Sequence, residues 1–186
     1  MEKHNENWKW APIAGKWSFA DGIATFNEPE DPGTPVGLAL APKSLRQGSL
    51  EVNVRMKEPM AGSARVAFGF DPLSKNYYTA GIGGYNRAYV VDEFVSGRGW
   101  SSLSLQGSKA NIRSEEEIHF RAEIRGQTVR LVVDGVTVIE TNLPHPLKGN
   151  QVGIFTWGQG ASCFQQLCRR VGVASRFCNH GVLGTV

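Results

Sequence analysis

Residues 117–125 read Glu-Ile-His-Phe-Arg-Ala-Glu-Ile-Arg. Every second residue from Ile118 to Ile124 is apolar, and the residues between them are polar. Because a strand points successive side chains to opposite faces, this alternation predicts a strand with one face in a core and the other in water. Residues 49–56, Ser-Leu-Glu-Val-Asn-Val-Arg-Met, repeat the pattern.

Asp-Gly dipeptides separate other strand-like runs. Asp134-Gly135 and Asp21-Gly22 each stand between two such runs, and this dipeptide accepts the positive φ angles of a tight hairpin turn. Strands are predicted at Lys16–Ala20, Ile23–Phe26, Val36–Ala41, Ala64–Phe70, Tyr77–Gly81, Ala88–Val95, Ser101–Leu105, Thr128–Val133, Val136–Glu140, Gln151–Trp157 and within Ser162–Val173. Residues 163–170 also fit a short helix. Many short strands divided by turns predict an all-β, two-sheet antiparallel sandwich or a barrel.

Length and composition limit the class of protein. A chain of 186 residues suits one domain; we predict a β-sandwich over residues 1–173 and a C-terminal tail over 174–186, where the alternation stops. The net charge of +3 predicts no nucleic-acid partner. No apolar run is long enough for a membrane helix, and the polar N-terminus lacks the apolar segment of a secretory signal. We therefore expect no membrane partner and a cytoplasmic location.

The order of several motifs resembles the concanavalin A-like superfamily, with the laminin-G-like and keto-disaccharide hydrolase-like domains closest. The motifs are Gly15-Lys16-Trp17-Ser18-Phe19-Ala20-Asp21-Gly22, Gly48-Ser49-Leu50-Glu51-Val52-Asn53-Val54-Arg55, Ala67-Phe68-Gly69-Phe70-Asp71, Asn76-Tyr77-Tyr78-Thr79-Ala80-Gly81, Arg125-Gly126-Gln127-Thr128-Val129-Arg130-Leu131-Val132-Val133-Asp134-Gly135 and Gln151-Val152-Gly153-Ile154-Phe155-Thr156-Trp157-Gly158. The resemblance implies a jelly roll with one concave sheet, which holds a saccharide or another small polar ligand. The Glu-x-Asp-x-x-Glu strand of the glucanases with this fold is absent.

The segment Asn76 to Trp100 is rich in residues that bind sugars. Aromatic rings cover the apolar C–H faces of a pyranose, and Asp or Arg side chains bond its hydroxyls. The predicted ligand-binding residues are Tyr78, Tyr85, Arg87, Asp92, Trp100 and, at a strand end before a Gly-rich loop, Trp157. The alternative is that these aromatic residues pack the core. Alternation allows only one of Tyr77 and Tyr78 to do so.

Four carboxylates are candidates for a catalytic role. Glu51 and Glu123 lie on the predicted outward faces of two strands, and a glycosidase needs two carboxyls at a fixed separation. Asp92 and Glu93 are adjacent, so a strand would point them to opposite faces. The alternative is that Glu51 and Glu123 form cross-strand ion pairs on a wet face.

The three cysteines do not predict a metal site. Cys163, Cys168 and Cys178, with His180, lack the close pairs typical of structural zinc. Buried thiols fit better, and an odd number of cysteines fits a reducing compartment. No residue pattern predicts a cofactor; calcium is compatible with the fold but is not predicted.

Three functions remain open from the sequence. The first is a non-catalytic module that binds a carbohydrate or another small polar ligand. The second is a glycoside hydrolase-like enzyme with paired carboxylates. The third is a ligand-sensing or interaction domain with a protein partner or a fused domain.

Overall fold

The computed structural model describes residues 9–31, 33–57, 62–84, 88–106, 113–158 and 162–170, with only the backbone of 162 and 166–170. The strands in these ranges are, in chain order, β1 (Ala11–Ala14), β2 (Lys16–Ala20), β3 (Ile23–Glu28), β4 (Val36–Ser44), β5 (Gly48–Met56), β6 (Ser63–Phe70), β7 (Tyr77–Gly83), β8 (Tyr89–Val95), β9 (Gly99–Gln106), β10 (Glu117–Arg125), β11 (Thr128–Val133), β12 (Val136–Asn142), β13 (Gln151–Trp157) and β14 (Ser162–Arg170). The predicted tail, 174–186, lies outside the described residues.

The strands form two antiparallel sheets. Sheet A has the order β1-β4-β13-β6-β7-β8-β9, and sheet B the order β12-β11-β10-β5-β14-β3-β2. Consecutive strands β6 to β9 form a meander, whereas β4 to β5 and β9 to β10 cross from one sheet to the other. The predicted two-sheet jelly-roll sandwich is confirmed. Residues 163–170 belong to strand β14, so the alternative of a helix there is wrong.

The main core lies between the sheets. The alternation in β10 buries Ile118, Phe120, Ala122 and Ile124 there. Sheet A contributes Val66, Phe68, Ala80, Ile82 and Ile154. The other face of β10 is partly exposed and carries the charges that the sequence placed in water. No helix of the described residues is long and apolar enough to cross a membrane.

The central strands of sheet A are buried on both faces. Every residue of β6 and β7 is buried, although antiparallel sheets commonly leave one face wet. A second apolar cluster accounts for this: Leu38, Leu40, Ala67, Phe70, Tyr77 and Phe155 pack together, with Ala14, Val36, Phe94 and Trp100 against them. This cluster lies on the side of sheet A that faces away from sheet B, because its residues alternate along the strands with those of the main core.

The outer face of sheet A is concave. Strands β13 and β9 are separated by β6, β7 and β8, so a flat sheet would place them about 19 Å apart at about 4.8 Å per strand. Yet the ring centroids of Phe155 on β13 and Trp100 on β9 are 5.0 Å apart. Two aromatic side chains cannot span a flat sheet of that width, so sheet A bends toward them. We call this surface the concave face; it carries Arg65, Ala67, Tyr77, Thr79, Asp92, Phe94, Trp100 and Phe155.

Candidate functional site

Four aromatic rings meet on the concave face. Tyr77 packs edge-on against Trp100 at 5.6 Å and lies 5.0 Å from Phe94, measured between ring centroids. Trp100 contacts Phe94 at 5.1 Å and Phe155 at 5.0 Å. The strand register brings three of these rings side by side, because Tyr77 pairs with Phe94 and Phe94 pairs with Trp100 across adjacent strands. Tyr77 and Phe155 are buried, whereas Phe94 and Trp100 are half-buried and could receive the apolar face of a ligand.

A buried ion pair lies on the same face. The Arg65 guanidinium donates to Asp92 Oδ2 at 2.5 Å, to Thr79 Oγ1 at 3.4 Å and to the carbonyl of Gly83 at 3.1 Å. The Phe155 ring lies 5.6 Å from the guanidinium carbon, within cation–π range. Because burial of a charge is costly unless it is paired, these contacts fix both side chains in one arrangement.

The structure brings three of the predicted ligand-binding residues to this face. Asp92 and Trp100 belong to it directly. Trp157 lies two residues beyond Phe155 on β13, so alternation places it on the same side of the sheet, where it is 40% exposed. Tyr85 and Arg87 lie outside the described residues.

Tyr78 lies between the sheets instead. It is 6% exposed, its ring stacks on Phe68 at 5.8 Å, and its hydroxyl donates to Glu93 Oε1 at 2.8 Å. Tyr77 takes the place on the concave face that the sequence analysis gave to Tyr78. We therefore leave Tyr78 out of the candidate site. The cause is register: alternation separates the two tyrosines but does not say which sheet face lies inside.

The four catalytic candidates do not form one group. Asp92 pairs with Arg65 on the concave face, while Glu93 bonds Tyr78 on the core side, so adjacent positions do point to opposite faces. Glu51 and Glu123 lie on the outer face of sheet B. Their nearest oxygens are 3.9 Å and 2.8 Å from the guanidinium nitrogens of Arg121, which lies between them.

The outer face of sheet B is an ion-pair network. Arg121, Arg125 and Arg130 all approach Glu123, and Arg130 also bonds Glu140 at 2.7 Å. Glu51 further lies 3.9 Å from His119 Nε2. The more exposed part of this network, at Arg125, Arg130 and Glu140, is a charged surface whose pairs each contribute little to stability. Glu51 is 6% exposed, so its contacts lie in a more buried part of the same face.

Two shallow pockets lie away from the concave face. One, of about 150 Å³, is lined by Glu123, Arg125, Thr128 and Arg130 on sheet B. The other, of about 280 Å³, lies among turns at one end of the sandwich and is lined by Arg46, Gln47, Gly126, Gln127, Pro146 and Leu147. Neither pocket is lined by a residue of the concave face, and most of the lining of the second is exposed.

The cysteines do not assemble a metal site in the described part of the chain. Cys163 is a half-buried free thiol whose sulfur lies 3.6 Å from Thr25 Oγ1. Cys168 lies opposite Glu51 in the register of β14 and β5, and its side chain is not described. Cys178 and His180 lie outside the described residues. No group of three or more His, Cys, Asp or Glu residues in the described ranges is arranged to hold a metal ion.

Two buried tyrosines, Tyr77 on the concave face and Tyr78 between the sheets, make the stability of the fold depend on pH in the alkaline range. Burial raises the pKa of the Tyr77 and Tyr78 phenols well above the ordinary value of about 10; for Tyr78 the bond to Glu93 adds to the effect. The unfolded chain releases these protons at a lower pH than the folded chain does. Folding stability is therefore fully supported below about pH 10 and falls as the pH rises beyond it.

We expect Tyr77→Phe to make that alkaline loss of stability shallower, because one of the phenols that titrate differently in the two states is gone. Urea midpoints measured at intervals from about pH 9 to about pH 11.5 would show the slope. An unchanged slope in the variant would mean that Tyr77 is solvated as freely in the folded chain as in the unfolded one.

Four of the charged and aromatic residues of the concave face were not predicted from the sequence: Arg65, Tyr77, Phe94 and Phe155. A signal for Arg65 was present. It is the single charged residue in the otherwise uncharged run Ser63–Phe70, and Asp92 follows three uncharged residues in Tyr89–Val95. A single cation in one largely apolar strand, and an anion that follows three uncharged residues in another, suggest a buried pair. Phe155 carried no such signal, because its role depends on curvature.

No protein-family model and no curated protein matches the sequence. Solved structures do match. The carbohydrate-binding module CBM66 from Bacillus subtilis superposes with a TM-score of 0.75 over 89% of this chain and 98% of its own, at 17% identity. The carbohydrate recognition domain of Emp47p gives 0.62 at 12% identity, over 92% of this chain and 91% of that domain.

An enzyme also shares the fold. Porphyranase B from Zobellia galactanivorans superposes with a TM-score of 0.56 at 11% identity, over 84% of this chain and 85% of its own. At these identities the matches establish the fold and not the activity. The jelly roll recognised in the order of the sequence motifs is confirmed.

Proposed function

We propose that this concanavalin A-like β-sandwich is a non-catalytic module that binds a saccharide on its concave face. One observation carries the proposal: aromatic rings and a fixed polar pair converge on the curved surface of sheet A. Phe155 lies 5.6 Å from the guanidinium carbon of Arg65, which is paired with Asp92, and Trp100 contacts Phe155 at 5.0 Å. This combination of apolar surface with a few placed polar groups is typical of small-ligand sites.

Saccharides match that chemistry. A pyranose or furanose ring presents apolar C–H groups to an aromatic ring and hydroxyls to side chains at its edge. Trp100 is half-buried and Trp157 is 40% exposed, so both offer ring surface to a ligand. Ser102 lies opposite Asp92 in the register of β8 and β9, and its exposed side chain adds a hydroxyl at the rim. Solved structures of similar fold include a carbohydrate-binding module and a carbohydrate recognition domain, which supports the proposal.

The distribution of carboxylates argues against hydrolysis. Canonical glycosidases flank the scissile bond with two carboxyls. Among the described residues, the concave face carries the one carboxylate of Asp92, which is bound to Arg65. Glu51 and Glu123 lie on the other sheet, in contact with Arg121. Because enzymes share this fold, release of reducing ends from a panel of glycans by the wild-type protein would overturn the non-catalytic part of the proposal.

Trp100→Ala should weaken saccharide binding at least about tenfold, because hot spots at binding surfaces are often central aromatic residues. A glycan array first identifies a bound saccharide, and isothermal titration calorimetry then compares the variants. Phe19→Ala is the matched control, since Phe19 is also an aromatic residue of an edge strand but belongs to sheet B, away from the concave face. Its affinity should equal that of the wild type.

Both variants must be titrated below their melting temperatures, because removal of Trp100 also removes contacts with Tyr77, Phe94 and Phe155. Equal affinities for Trp100→Ala and the wild type would exclude Trp100 from the site. Failure of the wild-type protein to bind any glycan would refute the proposed function itself.

A further inference from the structure

We propose, resting on the saccharide-binding function above, that Asp92 accepts a hydrogen bond from a hydroxyl of the ligand. The site thereby selects uncharged saccharides over acidic ones. The Trp100 ring rotates away from Phe155 to admit the ligand and then stacks on it. Asp92 is then the specificity-determining residue of the concave face.

One carboxylate oxygen of Asp92 lacks a hydrogen-bond partner among the described residues. Asp92 is 1% exposed, and its Oδ2 is bound to Arg65. Its Oδ1 is buried and has no hydrogen-bond partner in the described chain. Buried polar atoms are almost always hydrogen-bonded, because an unmade bond is costly in a water-excluded site. A ligand hydroxyl, which donates a hydrogen bond, would satisfy this oxygen.

Charge balance also favours a neutral ligand. Asp92 already balances the positive charge of Arg65, and the described aromatic and aliphatic side chains of this face are uncharged. Lys75 and Arg98 lie in turns at one end of the sheet, where Lys75 Nζ is 5.9 Å from the Phe70 ring. A carboxylate or sulfate beside Asp92 would meet its like charge with no second cation among the described residues next to the pair, and such an arrangement is disfavoured in a low-dielectric site. A neutral hydroxyl carries no such penalty.

Access to the pair depends on the rings of the same face. Phe155 lies 5.6 Å from the Arg65 guanidinium carbon, and Trp100 contacts Phe155 at 5.0 Å. Phe155 is 1% exposed in the interior of sheet A, whereas Trp100 lies on β9, the edge strand, and is half-buried. Rotation of Trp100 therefore leaves the interior strands in place, although it breaks the contacts with Tyr77, Phe94 and Phe155. Because gating by a side chain costs binding energy, ligands that donate to Asp92 have an advantage over those that only stack on the rings.

The experiment compares wild type, Asp92→Asn and Glu93→Gln on a glycan array that pairs each neutral oligosaccharide with its uronic-acid or sulfated counterpart. Wild type should prefer the neutral member at least about tenfold, since a site with an unpaired buried polar group discriminates strongly. Asp92→Asn should weaken binding of the neutral glycan and shrink the preference, because Arg65 loses its counter-charge. Glu93→Gln makes the same chemical change one residue away, on the core side, and should leave the preference unchanged.

The outcomes separate the two proposals. If acidic glycans bind the wild type as tightly as neutral ones, or if Asp92→Asn and Glu93→Gln have the same selectivity, the inference about Asp92 is wrong while saccharide binding stands. If the wild type binds no glycan, both fail. Circular dichroism shows whether Asp92→Asn folds; if it does not, the neutral and acidic pairs measured on the wild type alone decide.

Discussion

Arg65→Leu is expected to lower the free energy of unfolding by about 3–5 kcal/mol, because it leaves the carboxylate of Asp92 buried without its counter-charge. The side chains of Arg65 and Asp92 are 4% and 2% exposed, so water cannot replace the lost partner. The bonds to Thr79 and to the carbonyl of Gly83 are lost as well. Urea denaturation at neutral pH measures the change.

Arg55→Leu is the matched control. Arg55 bonds Glu117 at 2.9 Å, but both side chains are more than two-fifths exposed on sheet B. Surface pairs of this kind contribute at most about 1 kcal/mol. A similar cost for both substitutions would show that the Arg65–Asp92 pair is solvated in the folded protein, which would contradict the burial of the concave face.

Phe120→Ala should lower the free energy of unfolding by a comparable amount, about 3–5 kcal/mol, for a different reason. Phe120 is fully buried, and its neighbours across the sheet are Val52 and Val133. Truncation removes apolar burial and leaves a cavity that the strands on both sides cannot close.

Phe19→Ala provides the comparison, because Phe19 is 36% exposed and loses less buried surface. The two variants are compared by thermal or urea unfolding. The difference between their free energies of unfolding gives the contribution of a phenylalanine buried between the sheets. Equal destabilisation of the two would mean that the centre of sheet B packs no better than its edge.

Alternation predicted the strands whose two faces differ. The apolar positions of 118–124 are the ones that β10 buries, and the polar positions face outward. The Asp-Gly turns were also predicted correctly: Asp134 and Gly135 have φ values of 47° and 84°, and Asp21 and Gly22 have values of 51° and 75°. These features are local, so a few neighbouring residues determine them. Strand β1 (Ala11–Ala14) was not predicted, since it is short and contains a proline.

The composition of the concave face could not be predicted in the same way. Its residues come from β6, β7, β8, β9 and β13, and their meeting depends on strand order and curvature. Alternation separates Tyr77 from Tyr78 without saying which of them faces the other sheet. Sequence reasoning therefore found Asp92 and Trp100 as individual candidates, while the Arg65 partner and the contact with Phe155 needed the fold.

The place of β14 has a consequence for the way the chain is made. This strand lies between β5 and β3, more than a hundred residues after either of them along the chain. During synthesis, sheet B remains in two separate parts, each with an unpaired strand edge, until residues 162–170 have left the ribosome. Non-local pairing of this kind is slow, and open edges invite pairing with other chains. Nascent chains that stall before residue 162 should therefore depend on chaperones to stay soluble.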